Sequence, residues 1–121
     1  MNVLILEDMP DQAFIIDLYL TKMGFKTIVS YSGYEALQIV KKADIIVTDL
    51  AMPELSGIEF IKYVRQQSQT PIVVISAYCD EDTKDDAFKA GANYYMVKPI
   101  IQTDLKRIFK QWQAQIQKTY F

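Results

Sequence analysis

Five positions in this chain carry side chains whose types can act together. They are the adjacent acids Glu7 and Asp8, a third acid at Asp49, the hydroxyl of Ser76 and the ammonium of Lys98. Singly, each has an ordinary use: an acid after a strand as a turn or cap, a lysine before proline as a solvated loop residue, a serine as a strand-end hydroxyl. Gathered in one place they define a chemistry. Carboxylates about 5 Å apart repel by about 3 kcal/mol per pair even at an effective dielectric near 20, so three of them call for a cation or for partial protonation. A hard divalent ion with oxygen ligands is the simplest answer, and with few carboxylates and no histidine, Mg²⁺ retaining several waters fits better than zinc or a fully caged calcium. The backbone carbonyl of Ala51, two residues beyond Asp49, can add a ligand whatever its side chain. On the far side, Lys98 and Ser76 offer a cation and a donor. The set is suited to holding a phosphoryl group on Asp49, with metal and lysine neutralising the equatorial oxygens while Asp49 attacks in line.

The elements that must position these groups are legible as short apolar runs. Val3 to Leu6 ends at Glu7-Asp8, Asp44 to Thr48 at Asp49, Pro71 to Ile75 at Ser76, and Tyr94 to Val97 at Lys98-Pro99, while Phe25 to Ser30 makes a further strand. Pro53, four residues after Asp49, prevents that strand from continuing. Between the strands lie helical patterns. Phe14, Ile15, Leu18 and Met23 recur at helical spacing after Pro10, and Gly24 supplies a stop. Tyr34, Ala36, Leu37, Ile39 and Val40 predict a second helix; Ile58, Phe60, Ile61 and Val64 a third, ending near Ser68. The acids from Asp80 to Asp86 predict a loop and the first turn of a fourth helix, where negative charge suits the helix dipole. Leu105, Ile108, Phe109, Trp112 and Ile116 share one stripe of a fifth, which packs on the body.

Five strands alternating with five helices predict an α/β fold: right-handed crossovers and a doubly wound five-stranded parallel sheet covered on both faces. The flavodoxin-like order 2-1-3-4-5 places ligands where the order reverses, between the first and third strands, and so sets Glu7 and Asp8 beside Asp49. No linker, repeat or low-complexity segment interrupts the pattern, and a single domain over residues 1–121 is expected.

Composition removes several alternatives. Half of the 121 residues are hydrophobic and the formal net charge is −2, which suits a soluble globule and argues against an electrostatic footprint for nucleic acid. Histidine is absent, which excludes Ser-His-Asp and Cys-His nucleophiles, most zinc sites and a phosphohistidine on this chain. Cys79 is the only cysteine, so no internal disulfide or thiolate cluster forms, as suits a reducing cytoplasm. The amino-terminal apolar run of Val3 to Leu6 is too short for a signal peptide or a membrane span, and a cytoplasmic location without membrane attachment is expected.

The chain resembles a response regulator receiver domain of two-component signalling, from Asn2 to the last helix. The resemblance rests on Glu7-Asp8, the run Asp49-Leu50-Ala51-Met52-Pro53 with Gly57, Ser76-Ala77, Ala90-Gly91-Ala92 and Lys98-Pro99, with Ser76 and Lys98 22 positions apart and Tyr95 three before Lys98. It implies that Asp49 is the phosphoacceptor, that Asp8, Asp49 and the Ala51 carbonyl bind Mg²⁺ with Glu7 acting through a water, and that Lys98 contacts the phosphoryl group beside a cis bond to Pro99. It further implies that Ser76 is drawn to the phosphate while Tyr95 rotates inward, switching the face formed by the fourth helix, fifth strand and fifth helix. The donor implied is the phosphohistidine of a histidine kinase or a phosphotransfer protein. The resemblance also implies an output domain or protein that receives the signal, the chain being either a stand-alone regulator or the receiver portion of a longer protein, with a phosphorylation-dependent homodimer as one outcome. Such a domain is no enzyme beyond catalysing its own phosphorylation and dephosphorylation.

Two positions depart from what the family uses to speed hydrolysis. Ala51 and Tyr78, two residues beyond Asp49 and Ser76, offer no amide or carboxylate to orient a water, so a long-lived aspartyl phosphate is expected. Cys79 has no charged neighbour before Asp80 to stabilise a thiolate and is expected to be inert. A flavodoxin-like electron carrier is disfavoured because Glu7 and Asp8 repel a flavin phosphate, and a haloacid dehalogenase-type phosphatase because it needs an acid where Ala51 stands. The remaining alternative is an unphosphorylated, receiver-like interaction module, which would be expected to have lost an acid or the lysine.

Overall fold

The computed structural model describes residues 1–120, with side chains through 113. In chain order the elements are β1 (Asn2–Leu6), α1 (Pro10–Lys22), β2 (Lys26–Ser30), α2 (Gly33–Gln38), a 3₁₀ turn (Val40–Lys42), β3 (Ile45–Thr48), α3 (Gly57–Gln67), β4 (Ile72–Ser76), α4 (Glu81–Ala90), β5 (Tyr94–Val97) and α5 (Gln102–Tyr120). The strands form one parallel sheet, as the alternation of elements predicts, and take the flavodoxin-like order β2-β1-β3-β4-β5. Every residue of β3 and β4 is buried, because both strands are covered on both faces.

The pleat divides the core in two. Leu4, Leu6, Ile46, Ile72 and Val74 point to one side and pack on α2, α3 and α4 through Ala36, Phe60, Ile61, Val64 and Ala87. Val3, Ile5, Ile45, Val47, Val73, Ile75 and Met96 point to the other and pack on α1 and α5 through Ile16, Leu20, Leu105, Phe109 and Trp112. Phe25 meets Phe109 edge to face, with ring centroids 5.1 Å apart, and ties the start of β2 to α5. No helix among the described residues is long and apolar enough to cross a membrane.

The helices differ from expectation in three places. In α1 the buried face is Ala13, Ile16 and Leu20, whereas Phe14, Ile15 and Leu18 are 66%, 41% and 39% exposed. The segment from Ala13 to Leu20 is apolar around much of its circumference, so two stripes satisfy helical spacing, and the direction in which the chain leaves β1 selects the other one. The second helix stops at Gln38: Ile39 leaves helical geometry at φ −119°, ψ 10°, and the turn at Val40–Lys42 completes the connection. In the acid-rich segment only Asp80 lies outside the helix, its Oδ2 accepting from the Thr83 N–H at 3.0 Å and the Thr83 hydroxyl at 2.7 Å; Glu81 onward is helical. In α5, Leu105, Phe109 and Trp112 are buried as predicted and Ile108 is half-buried, while the Ile116 side chain lies outside the described residues.

At the edge of the sheet where β4 and β5 begin, Arg65 of α3 gathers the surrounding backbone. Its guanidinium donates to the Gly91 carbonyl through Nε at 3.1 Å and Nη2 at 2.8 Å, to the carbonyls of Ser68 and Thr70 at 3.2 and 2.7 Å, and to Asn93 Oδ1 at 2.9 Å. Gly91 closes α4 at φ +126°, a conformation open to glycine, and a Cβ there would lie 2.6 Å from Arg65 Cγ.

Candidate functional site

The opposite edge, where the strands end, carries the acids. Leu6 pairs with Thr48 and the Asp49 N–H donates to the Leu6 carbonyl at 3.1 Å, so the residues that follow β1 and β3 emerge side by side. Carboxylate oxygens of Glu7, Asp8 and Asp49 all lie within 4.8 Å of one another. Glu7 is 1% exposed and Asp49 6%; Asp8 is half-buried. Asp49 is held from both ends of its carboxylate: Oδ1 accepts from the Leu50 N–H at 2.6 Å and the Ala51 N–H at 3.3 Å, and Oδ2 from Lys98 Nζ at 2.7 Å.

The loop after Asp49 folds back on itself. The Gly57 N–H donates to the Leu50 carbonyl at 2.9 Å, and a Cβ on Gly57 would stand 2.3 Å from the Asp49 carbonyl oxygen and 2.5 Å from Leu50 Cα. Glycine is therefore required for the first turn of α3 to approach the acid so closely. Ser56 caps that turn, its Oγ accepting from the Glu59 N–H at 3.2 Å.

Lys98 arrives from the end of β5, where its peptide bond to Pro99 is cis, as the resemblance implies. Its Nζ donates to Asp49 and to Glu7 Oε2 at 3.0 Å, and also to the side-chain carbonyl of Gln12. Two of the three acids thus pair with the one cation. Burial pushes the Glu7 carboxyl up to about 6, aided by the charge of Asp49 and opposed by the hydrogen bonds from Lys98 and the Met9 N–H. Burial alone would lower the Lys98 ammonium, but its bonds to Asp49 and Glu7, with their charges, outweigh that and leave it above its usual value.

On the β4 side, Ser76 is fully buried, its Oγ accepting from the Tyr78 N–H at 3.1 Å. Tyr95, half-buried on β5, donates its hydroxyl to the Tyr78 carbonyl at 2.7 Å and spans the loop between β4 and α4. Burial raises its phenol. Its ring lies 6.3 Å from that of Phe88 on α4, with Lys84 Nζ 6.0 Å from its centroid. Ala51 is exposed, as are Tyr78 and Cys79.

The structure therefore gathers Glu7, Asp8, Asp49 and Lys98, and sets Ser76 at the end of the strand between those of Asp49 and Lys98, its carbonyl accepting from the Lys98 N–H at 2.8 Å. One participant lay outside the sequence reading: Gln12, a glutamine in the first turn of α1 that belongs to no motif and follows no strand.

Relatives place the chain in a family. The model of the response regulator receiver domain matches residues 3–110, and the chain belongs to that family. It is 31% identical over 119 residues to the response regulator ArlR of Staphylococcus haemolyticus, covering 97% of this chain and 53% of that one. It is 35% identical over 113 residues to the autoinducer 2 sensor kinase/phosphatase LuxQ of Vibrio parahaemolyticus, covering 90% of this chain and 13% of that one. The chain thus spans about half the length of the regulator and a small part of the sensor kinase. Among solved structures, a Francisella response regulator receiver domain superposes with a TM-score of 0.85 at 30% identity, covering 94% of this chain and 98% of that one. The receiver domain of the Pseudomonas aeruginosa sensor histidine kinase PA1611, solved with a magnesium ion coordinated in its active site cleft, superposes with a TM-score of 0.84 at 26% identity, covering 92% and 95%.

Proposed function

We propose that this chain, as a single receiver domain over residues 1–121, accepts a phosphoryl group on Asp49 from the phosphohistidine of a histidine kinase or phosphotransfer protein. The observation that carries the reading is the placement of a buried acid within 4.8 Å of two others and 2.7 Å from a lysine ammonium. In the step proposed, an Asp49 carboxylate oxygen forms a bond to phosphorus as the bond from phosphorus to the imidazole nitrogen breaks, and the electron pair stays on that nitrogen. Lys98 leaves the carboxylate for a phosphoryl oxygen. The Ser76 hydroxyl, whose hydrogen is not used by its bond from Tyr78, turns to donate to another.

The donor set fits Mg²⁺. It is all oxygen, the preferred donor of a hard divalent cation, and its negative charge exceeds what Lys98 alone neutralises. Asp8, Asp49 and the Ala51 carbonyl would hold the ion directly and Glu7 through a water. When bound, the ion neutralises the charge gathering on the phosphoryl oxygens. Beyond this self-phosphorylation and its reversal the domain is read as a signalling element and not an enzyme, working in the cytoplasm.

The added charge of about −1.5 to −2 acts on Ser76 and, through the Tyr78 peptide, on Tyr95. Tyr95 already reaches across the loop at the head of α4, which supports a switch of α4, β5 and α5 as the output face for a downstream domain, a partner protein or a second copy. A protein donor is supported by exposed apolar side chains on the segments that carry the site: Met9 directly after Asp8, Phe14 on α1 and Ile101 shortly after Lys98 are each more than half exposed.

Incubation with phosphoramidate or acetyl phosphate and Mg²⁺ tests the reading by intact mass. One added phosphoryl group, lost in Asp49→Ala, is expected. No adduct with any donor would leave the interaction module. With Ala51 and Tyr78 unable to orient a water, the adduct should outlast a few seconds in Mg²⁺ buffer after donor removal; decay within that time would refute the slow-hydrolysis part alone.

A further inference from the structure

We infer that Gln12 is a positioning residue for Lys98, a role that rests on Asp49 being the acceptor. An ammonium has three hydrogens to donate and nothing to accept with. Those of Lys98 meet Asp49 Oδ2 at 2.7 Å, Glu7 Oε2 at 3.0 Å and the side-chain carbonyl of Gln12. Two of these acceptors are charged and belong to the reacting cluster. The third is neutral and comes from a different element.

Gln12 is well placed to hold still. Pro10 opens α1 with its φ already set for a helix, and the Gln12 N–H donates to the Met9 carbonyl at 3.1 Å, so the residue is anchored one turn from the acids. Gln12 and Lys98 also share the wall of a cavity of about 500 Å³ between α1 and the segment after β5, lined otherwise by Ile15, Tyr19, Pro99 and Ile100 together with Ala77. A lysine is a compact charge on a flexible stem. When Asp49 gains a phosphoryl group, Lys98 must give up Oδ2 and turn to a phosphoryl oxygen. With one hydrogen kept by Gln12, the ammonium pivots beside the acids and does not swing into this cavity. Being uncharged, Gln12 does not compete with the phosphoryl group for the lysine.

Rates of phosphorylation by phosphoramidate in saturating Mg²⁺ test this for the wild-type chain, Gln12→Met, Lys98→Met and the double variant. Methionine keeps the length of glutamine and lacks the carbonyl acceptor. Gln12→Met is expected to slow the reaction about three- to tenfold, with melting temperature and Mg²⁺ affinity unchanged, and the double variant to be no slower than Lys98→Met. That non-additivity marks action through the lysine, which a merely structural role would not produce. A Gln12→Met rate within about twofold of wild type, or a full multiplicative loss in the double variant, overturns the inference while leaving Asp49 as acceptor. If Gln12→Met fails to fold, Gln12→Glu serves: an acceptor of the same reach that now competes for Lys98 should slow the same step, and an unchanged rate overturns the inference. Absence of any adduct on the wild-type chain overturns both this and the proposed function.

Discussion

Two half-buried cations hold this molecule together at opposite edges of its sheet, and they differ in what they hold. Arg65 donates to carbonyls of Ser68, Thr70 and Gly91 and to the Asn93 amide oxygen, none of them charged. Lys98 donates to Glu7, Asp49 and Gln12, two of them carboxylates. Burial pulls the Arg65 guanidinium down, since no acid opposes it, whereas the acids carry Lys98 the other way. Carbonyls of a folded backbone cannot trade their partner for another, so Arg65 is a permanent staple with five donors in a rigid fork. Carboxylates can exchange a lysine for a metal ion or be esterified, so the Lys98 cluster is held only until something better arrives. Stability is vested at one edge and exchangeability at the other.

The largest effect should fall on the exchangeable edge. Lys98→Met is expected to slow phosphorylation of Asp49 by about a hundredfold or more, since the developing phosphoryl charge loses its fixed cation. The same variant should melt lower without Mg²⁺ and recover when the ion is added, because the acids need only some cation. Arg65→Ala should do the reverse: a loss of about 2 to 3 kcal/mol from carbonyls left without donors, no recovery with Mg²⁺, and a phosphorylation rate near wild type. Denaturant melts with and without Mg²⁺ separate the two, and equal Mg²⁺ responses would erase the distinction drawn here.

Gly57→Ala should resemble neither, since its Cβ would stand 2.3 Å from the Asp49 carbonyl oxygen. A loss of about 2 kcal/mol or more is expected, together with slower phosphorylation as the acid is displaced. A variant with wild-type melting would show that the loop gives way easily.

Glu7 sharpens the contrast through pH. Its carboxyl sits at about 6 in the folded chain against 4.5 as its ordinary value. The native state therefore binds the extra proton between those values, and metal-free stability falls as pH rises across that window. Glu7→Gln should remove this dependence and raise metal-free stability at pH 7 by about 1 to 2 kcal/mol, while weakening Mg²⁺ binding. A pH-independent melting temperature between 4.5 and 6 in the wild-type chain would contradict it. The smallest effect is expected from Tyr95→Phe, which removes the bond to the Tyr78 carbonyl and costs about 1 kcal/mol or less; its signature is altered exchange of α4 amides on addition of beryllofluoride.

Much of this was readable beforehand, for a reason particular to parallel sheets. Strands buried on both faces are continuous apolar runs, and all of them finish at one edge, so the residue after each run is a candidate by position alone. Glu7, Asp8, Asp49, Ser76 and Lys98 were found in this way. Helices gave a weaker signal. The apolar residues of α1 admit two core faces, and the chosen one, Ala13, Ile16 and Leu20, leaves Phe14 to solvent. Gln12 could not have been found at all, since nothing in its local sequence distinguishes a glutamine that meets a lysine 86 positions away from one that meets water.

The order of residue types along the chain determined the five strands and the acids at their ends, because hydrophobic runs and charges are local properties. Tertiary structure alone decided which face of α1 turns inward, that Lys98 divides itself among three acceptors, and that Arg65 is held by carbonyls. Those outcomes depend on distances between segments far apart in the chain, and only packing sets them.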